Sequence, residues 1–115
     1  MNNIKSINVD RFVGEILRLI RGVEALSTAG REYISQQIWE VRFVFNEMIK
    51  PQILDSPEVF EMERMLRAMD DFSLLGEREW RRLSKARKQA IEVMRLTSEL
   101  VVRRFVKNIF DRGYS

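Results

Sequence analysis

Between Arg78 and Lys88 the chain reads REWRRLSKARK, with six basic side chains against one acid. The chemistry open to such a run is anion recognition. An arginine's planar fork bonds two phosphate oxygens at once, and each phosphate neutralised on a nucleic acid releases condensed counterions. Arg78, Arg81, Arg82, Lys85 and Lys88 are therefore candidate ligands for a nucleic-acid backbone, and Arg95, Arg103, Arg104 and Lys107 extend the row along the same segment. A solvated helix face has the same composition, so the run needs a structural setting before it means more.

Other chemistries find little to work with. The chain has no cysteine and no histidine, which leaves no thiol nucleophile, no thiolate zinc site and neither the commonest metal ligand nor the commonest general base. There is no glycine-rich phosphate loop and no nucleophile elbow. Ser84 and Lys85 are neighbours on a helix and point in different directions. Glu58, Glu61, Glu63, Asp70 and Asp71 lack the glycine-turned loop of a calcium site and read as a solvated acidic face. One class of small helical enzyme, the three-helix chorismate mutase, clamps a dicarboxylate between arginines and lysines. Most cations here fall opposite the apolar stripe and so face outward, away from any such pocket. No catalytic residue, metal or cofactor is assigned.

The elements that must position the basic row follow from composition and period. At 115 residues, with 5 Gly, 2 Pro, 45% hydrophobic and 32% charged side chains, the chain fits one folded helical domain large enough to bury a core unaided. The net charge of +3 hides a division. Residues 1–75 carry 9 basic and 12 acidic side chains, and residues 76–115 carry 11 and 5. That split favours a polyanionic partner for the second half, or pairing between acidic and basic faces of neighbouring copies. No apolar run approaches the length of a membrane span, and Met1 to Asp10 has neither the basic start nor the apolar stretch of a signal peptide, so a cytoplasmic protein without membrane contact is expected. Many Arg, Glu, Val and Ile residues with few Asn and Gln lean toward a thermophilic source.

Asn8 is expected to cap a first helix running to about Leu26, burying Val9, Phe12, Val13, Ile16, Leu17, Ile20 and Val23. A second, from about Gly30 to Lys50, should bury Tyr33, Ile34, Ile38, Val41, Val44, Phe45 and Met48 and end at Pro51. The third has the clearest start: Ser56 as N-cap, Pro57 at the first helical position, and Glu58 where the helix dipole favours an acid. It should end near Asp70, with Met62, Met65, Leu66 and Met69 inward as an ordinary core face or, alternatively, a pliable groove. From Glu77 to Arg112 there is no Gly or Pro, and Gly113 supplies a C-terminus. In this segment Trp80, Leu83, Ala90, Ile91, Met94, Val101, Phe105 and Ile109 line one face. Arg81, Lys85, Lys88, Arg95, Arg103 and Lys107 gather opposite. An unbroken helix of that length would reach roughly 54 Å, so a break is expected at Thr97-Ser98, whose hydroxyls compete for backbone carbonyls. The fold class is all-α, a bundle of four or five helices.

Some apolar residues fall off the stripes. Trp39 and Phe43 lie away from the core face of the second helix, and Leu96, Val106 and Phe110 lie on the basic side of the last segment. They are internal in a five-helix packing, or they anchor an interface. Length, helicity, lack of catalytic residues and a basic last segment together resemble the small helical subunit of archaeal type I-A CRISPR surveillance complexes. That resemblance implies a non-enzymatic ribonucleoprotein subunit in antiviral defence, which binds RNA or DNA backbone without sequence specificity and stacks against other subunits. The description is similar also to helical coat proteins of archaeal filamentous viruses, which pack against copies of themselves.

Overall fold

The computed structural model describes the backbone of residues 2–24, 28–75, 77–82 and 84–113, and side chains at all of these except 2–7, 28–32, 72, 77, 80, 81 and 112–113. Regular structure among them is entirely helical: α1 (Asn2–Glu24), α2 (Thr28–Val44), α3 (Pro57–Ser73), α4 (Glu77–Arg82) and α5 (Ser84–Gly113). A π-helical turn (Phe45–Ile49) and a 3₁₀ turn (Lys50–Gln52) follow α2. The helix α1 packs on α2 and α5, and α3 packs on the same two, so the four long helices run round the bundle in the order α1, α2, α3, α5. Among the described residues the backbone of the six-residue α4 makes fewer contacts with them.

One face of each long helix builds the core. From α1 come Phe12, Ile16, Leu19 and Val23, spaced by four, three and four residues, the repeat that keeps side chains on one side of a 3.6-residue helix. They meet Ile34, Ile38, Val41 and Val44 of α2, the methionine-rich face of α3, and Met94, Val101, Phe105 and Ile109 of α5. Met62, Met65, Leu66 and Met69 are all buried, so this face is core and not a groove.

Several boundaries and phases differ from the sequence reading. The first helix starts at Asn2 and not after Asn8, since no Gly or Pro interrupts the preceding residues and a capping preference alone is too weak to stop a helix that packs. Its buried stripe takes in Leu19 and leaves Val13 and Leu17 largely exposed, because the apolar sector of α1 is wider than the strip its two neighbours cover. Tyr33 is not in the core; its ring lies half-exposed across Gly22 of α1. The α-helical part of the second helix stops at Val44. There the chain widens to a π turn closed by the Lys50 N–H on the Phe45 carbonyl, and Pro51 sits inside the 3₁₀ turn, where its missing N–H costs nothing. The third helix begins at Pro57 as read, and it runs to Ser73, whose hydroxyl donates to the Asp70 carbonyl at 2.7 Å.

The expected break at Thr97-Ser98 does not occur. Both residues are buried, and α5 passes through them without interruption. The Ser98 hydroxyl donates to the Arg95 carbonyl at 2.9 Å, satisfying itself on its own helix. With 30 residues, α5 extends about 45 Å at 1.5 Å per residue, most of the molecule's 54 Å length. The radius of gyration of 15.0 Å exceeds the roughly 13 Å of a compact domain of this size, as an elongated bundle requires.

Polar contacts tie the helices in register. The Gln37 amide of α2 donates to the buried Glu15 carboxylate of α1 and, at 3.2 Å, to the Glu15 carbonyl. Arg42 pairs with Asp70 at 2.6 Å, Lys50 with Glu63 at 3.1 Å, and Arg104 with Glu58 at 3.2 Å. Three of the carboxylates read as a solvated face therefore clasp neighbouring helical segments.

Two glycines of α1 make a contrast that can be measured. A Cβ at Gly14 would meet nothing within 4 Å, whereas one at Gly22 would lie 2.8 Å from Tyr33 Cδ1 and 3.3 Å from Ile34 Cγ1. Gly14→Ala is expected to raise the unfolding free energy by about 0.5–1 kcal/mol, through the smaller entropy of the unfolded chain. Gly22→Ala should gain nothing, since the same benefit is offset by displacing the ring and crowding the core isoleucine. Urea melts of the two variants check this; equal gains at both positions would contradict the packing described.

Candidate nucleic-acid interface

The basic tract occupies α4 and the first turns of α5. Arg82 closes α4, where the helix dipole favours a cation. Arg78 and Arg82 are four apart and share a face; both are exposed. Lys85 and Lys88, one turn apart at the start of α5, are exposed as well. Among the described residues none of these four makes an ion pair. The backbone of Arg81 continues the same helix, and its side chain lies outside those described.

Farther along, the outer face of α5 carries Glu92, Arg95, Glu99, Arg103 and Lys107. Lys85 and Lys107 are separated by about 33 Å of helix, but the acids interrupt the row, and Arg95 lies 3.7 Å from Glu92. Arg103 and Lys107 stand unpaired among the described residues. The cations thus form a dense tract at residues 78–88 and a sparser group toward the C-terminal end.

Arg104 does not join the outer row. It turns toward α3, where Nε and Nη2 donate to the two carboxylate oxygens of Glu58 at 3.2 and 3.3 Å. A fork already engaged in this way is not available to a phosphate. Burial would raise the Glu58 carboxyl's pKa from 4.5, but the hydrogen bond from Arg104, one from its own backbone N–H, the arginine's charge and a bond from Ser56 together hold it below that value. A carboxyl whose pKa is depressed by folding contributes stability that is fully present above its unfolded value. That stability is lost as pH falls through the folded value. Glu58→Gln is therefore expected to cost about 1–3 kcal/mol near neutral pH, and to flatten the stability profile below pH 4.5, as read from denaturant melts across the acid range. A variant with the parental acid slope would show that the pair adds nothing.

Arg87 is the cation that the sequence reading left out of place. It lies seven residues before Met94 and so shares the inward side of α5. It is half-buried, and Nη1 donates to the Val23 carbonyl at the C-terminal end of α1 at 3.4 Å. A positive charge is favoured there by the helix dipole. Its Nε is buried without a partner. The seven-residue spacing was the signal that separated it from its outward neighbours.

The apolar residues that fell off the stripes are all exposed: Trp39 at 68%, Phe43 at 49%, Leu96 at 50%, Val106 at 39% and Phe110 at 69%. The packing that would have made them internal is not the one formed. Sequence reasoning also missed a groove of about 350 Å³ between α1 and α5, lined by Val13, Leu17, Ile20 and Val102 with Arg95 and Arg103 beside them. It depends on two helices meeting, which no single wheel displays.

Two smaller clefts lie elsewhere among the described residues. One, at the seam of α2 and α3, contains Arg42, Lys50 and Arg67, the first two already paired with carboxylates. The other gathers Asp55, Ser56, Asn108 and Asp111 around Arg104. Among the described residues no group of three potential ligands could hold a metal ion, and no helix is long and apolar enough to cross a membrane. Comparison of the chain with protein-family models, with curated proteins and with solved structures finds no match in any of the three.

Proposed function

We propose that this chain is a non-enzymatic helical subunit of a nucleoprotein assembly, gripping nucleic-acid backbone through the tract from Arg78 to Lys88 without reading sequence. The observation that carries the reading is how the cations are partnered. Among the described residues the cations that form ion pairs, Arg18, Arg42, Lys50, Arg64, Arg95 and Arg104, lie outside the tract, while Arg78, Arg82, Lys85 and Lys88 are exposed and unpaired. Uncompensated charge on an exposed surface suits contact with phosphates, which need position and charge but no pocket. The assembly this plan fits best is a CRISPR surveillance complex of type I-A, with the chain as its small subunit.

Fluorescence anisotropy with generic duplex and single-stranded oligonucleotides tests the backbone contact. Four phosphates engaged give a slope of log K against log salt near −3.6 on duplex DNA, so affinity should fall roughly 10²-fold between 50 and 200 mM salt. Scrambled sequences should bind alike. No binding at the lower salt, or binding indifferent to salt, refutes the reading.

A further inference from the structure

We infer that copies of this chain associate head to tail, the outer face of α2 from one copy seating in the α1/α5 groove of the next. The inference deepens the assembly reading by naming the protein partner. It rests on that reading only for its biological purpose, because residues outside the basic tract carry it.

The inserted face is acidic and aromatic. From Tyr33 to Glu47 the exposed side chains are Tyr33, Ser35, Gln36, Trp39, Glu40, Phe43, Asn46 and Glu47, with no cation among them. Trp39 and Phe43 are four apart and so form one ridge, the spacing by which an amphipathic helix fills a groove. Exposed tryptophan and phenylalanine on adjacent turns are favoured interface anchors.

The receiving face is apolar, and its edge carries Arg95 and Arg103 with Glu99 between them, a net positive rim. Val13, Leu17 and Ile20 of α1 form one wall, and Val102 of α5 faces them. Arg95 and Arg103 stand on the rim about 12 Å apart along α5, while Glu40 and Glu47 lie about 10.5 Å apart along α2. Opposite charges at matching spacing set the register in which one helix lies along the other. Glu99 and Ser98 also line the groove and offer acceptors for the indole N–H, which needs a partner once buried.

The two faces lie on opposite sides of the bundle. Gln37 of α2 reaches α1 and Arg42 reaches Asp70 of α3. At 100° per residue Trp39 and Phe43 lie beyond Arg42, on the outward α3 side of α2. The order α1, α2, α3, α5 puts that side across the bundle from the α1/α5 seam. Complementary patches on opposite sides produce a heterologous contact, which repeats into a chain or ring and does not stop at two copies.

Sedimentation velocity over a wide range of concentrations, with no nucleic acid present, tests this separately from backbone binding. Wild type should grow beyond a dimer as concentration rises. The variant Glu40→Lys, Glu47→Lys and the variant Arg95→Glu, Arg103→Glu should each remain monomeric alone, yet associate when mixed, because each then offers the face the other lacks. Trp39→Ala with Phe43→Ala should abolish growth while leaving the helical circular dichroism unchanged. A monomeric wild type at every concentration, growth that ends at a dimer, or a mixture that stays monomeric overturns the inference.

Discussion

Replacing Arg78, Arg82, Lys85 and Lys88 together with alanine is expected to lower affinity for generic duplex DNA by two to three orders of magnitude at about 50 mM salt, and to reduce the salt slope by about 3.6. All four side chains are exposed and unpaired among the described residues, so their removal should leave stability within about 0.5 kcal/mol per site. Net charge changes as well, and a control is needed. Arg11, Arg21, Arg64 and Arg67 are exposed cations on α1 and α3, and replacing those four removes the same charge from elsewhere. The control should lose far less affinity, since screening confines useful attraction to cations within about 10 Å of the phosphates at 0.1 M salt. Equal losses in both variants would mean that the protein binds through net charge and that the tract has no special part.

Phe12→Ala should lower the unfolding free energy by about 3–5 kcal/mol, a large part of the roughly 5–15 kcal/mol that holds a small domain folded. Phe12 is fully buried, and its ring centroid lies 6.2 Å from that of Phe45 with the planes tilted by 42°. Because Phe45 opens the π turn, the contact joins the middle of α1 to the end of the second helix. A double-mutant cycle with Phe45→Ala should return a coupling of about 0.5–1.5 kcal/mol for the ring pair. A loss below 1 kcal/mol in the single variant, measured by denaturant melts, would mean that the core here is not packed as described.

Where the sequence carries a local signal, the fold could be read directly. Pro57 and Glu58 announce a helix start through a preset φ and dipole chemistry, which operate within one turn, while the Ser56 hydroxyl donates to the Ile53 carbonyl at 2.7 Å. Of the expected stripe on the last segment, Met94, Val101, Phe105 and Ile109 are buried and Ala90 and Ile91 half-buried, while the side chains of Trp80 and Leu83 lie outside those described. What escaped depends on which helices become neighbours. Thr97 and Ser98 read as a break because their hydroxyls compete with the backbone, yet between Met94 and Val101 they occupy the packed face, and tertiary burial overrides a weak local preference. Val13 and Leu17 look like core on a wheel that cannot show how wide a strip the partners will cover. Arg104 reads as one more cation of the row until α3 brings Glu58 beside it. The outward position of Trp39 and Phe43 was legible from phase alone; the groove that suits them was not.

Among the described residues the backbone of α4 makes few contacts with the long helices, which gives this part of the tract a thermodynamic character of its own. Local opening is cheapest where few tertiary contacts must be broken, so amides of α4 should exchange with solvent well before those between Met94 and Ile109, whose side chains sit in the core. A polyanion held across Arg78 and Arg82 stabilises the closed helix by mass action and should slow that exchange, without altering the exchange of the bundle. On the proposed reading, stability and ligand contact reside in separate parts of one chain: the cations of α4 meet the nucleic-acid backbone, while the four long helices keep a single arrangement.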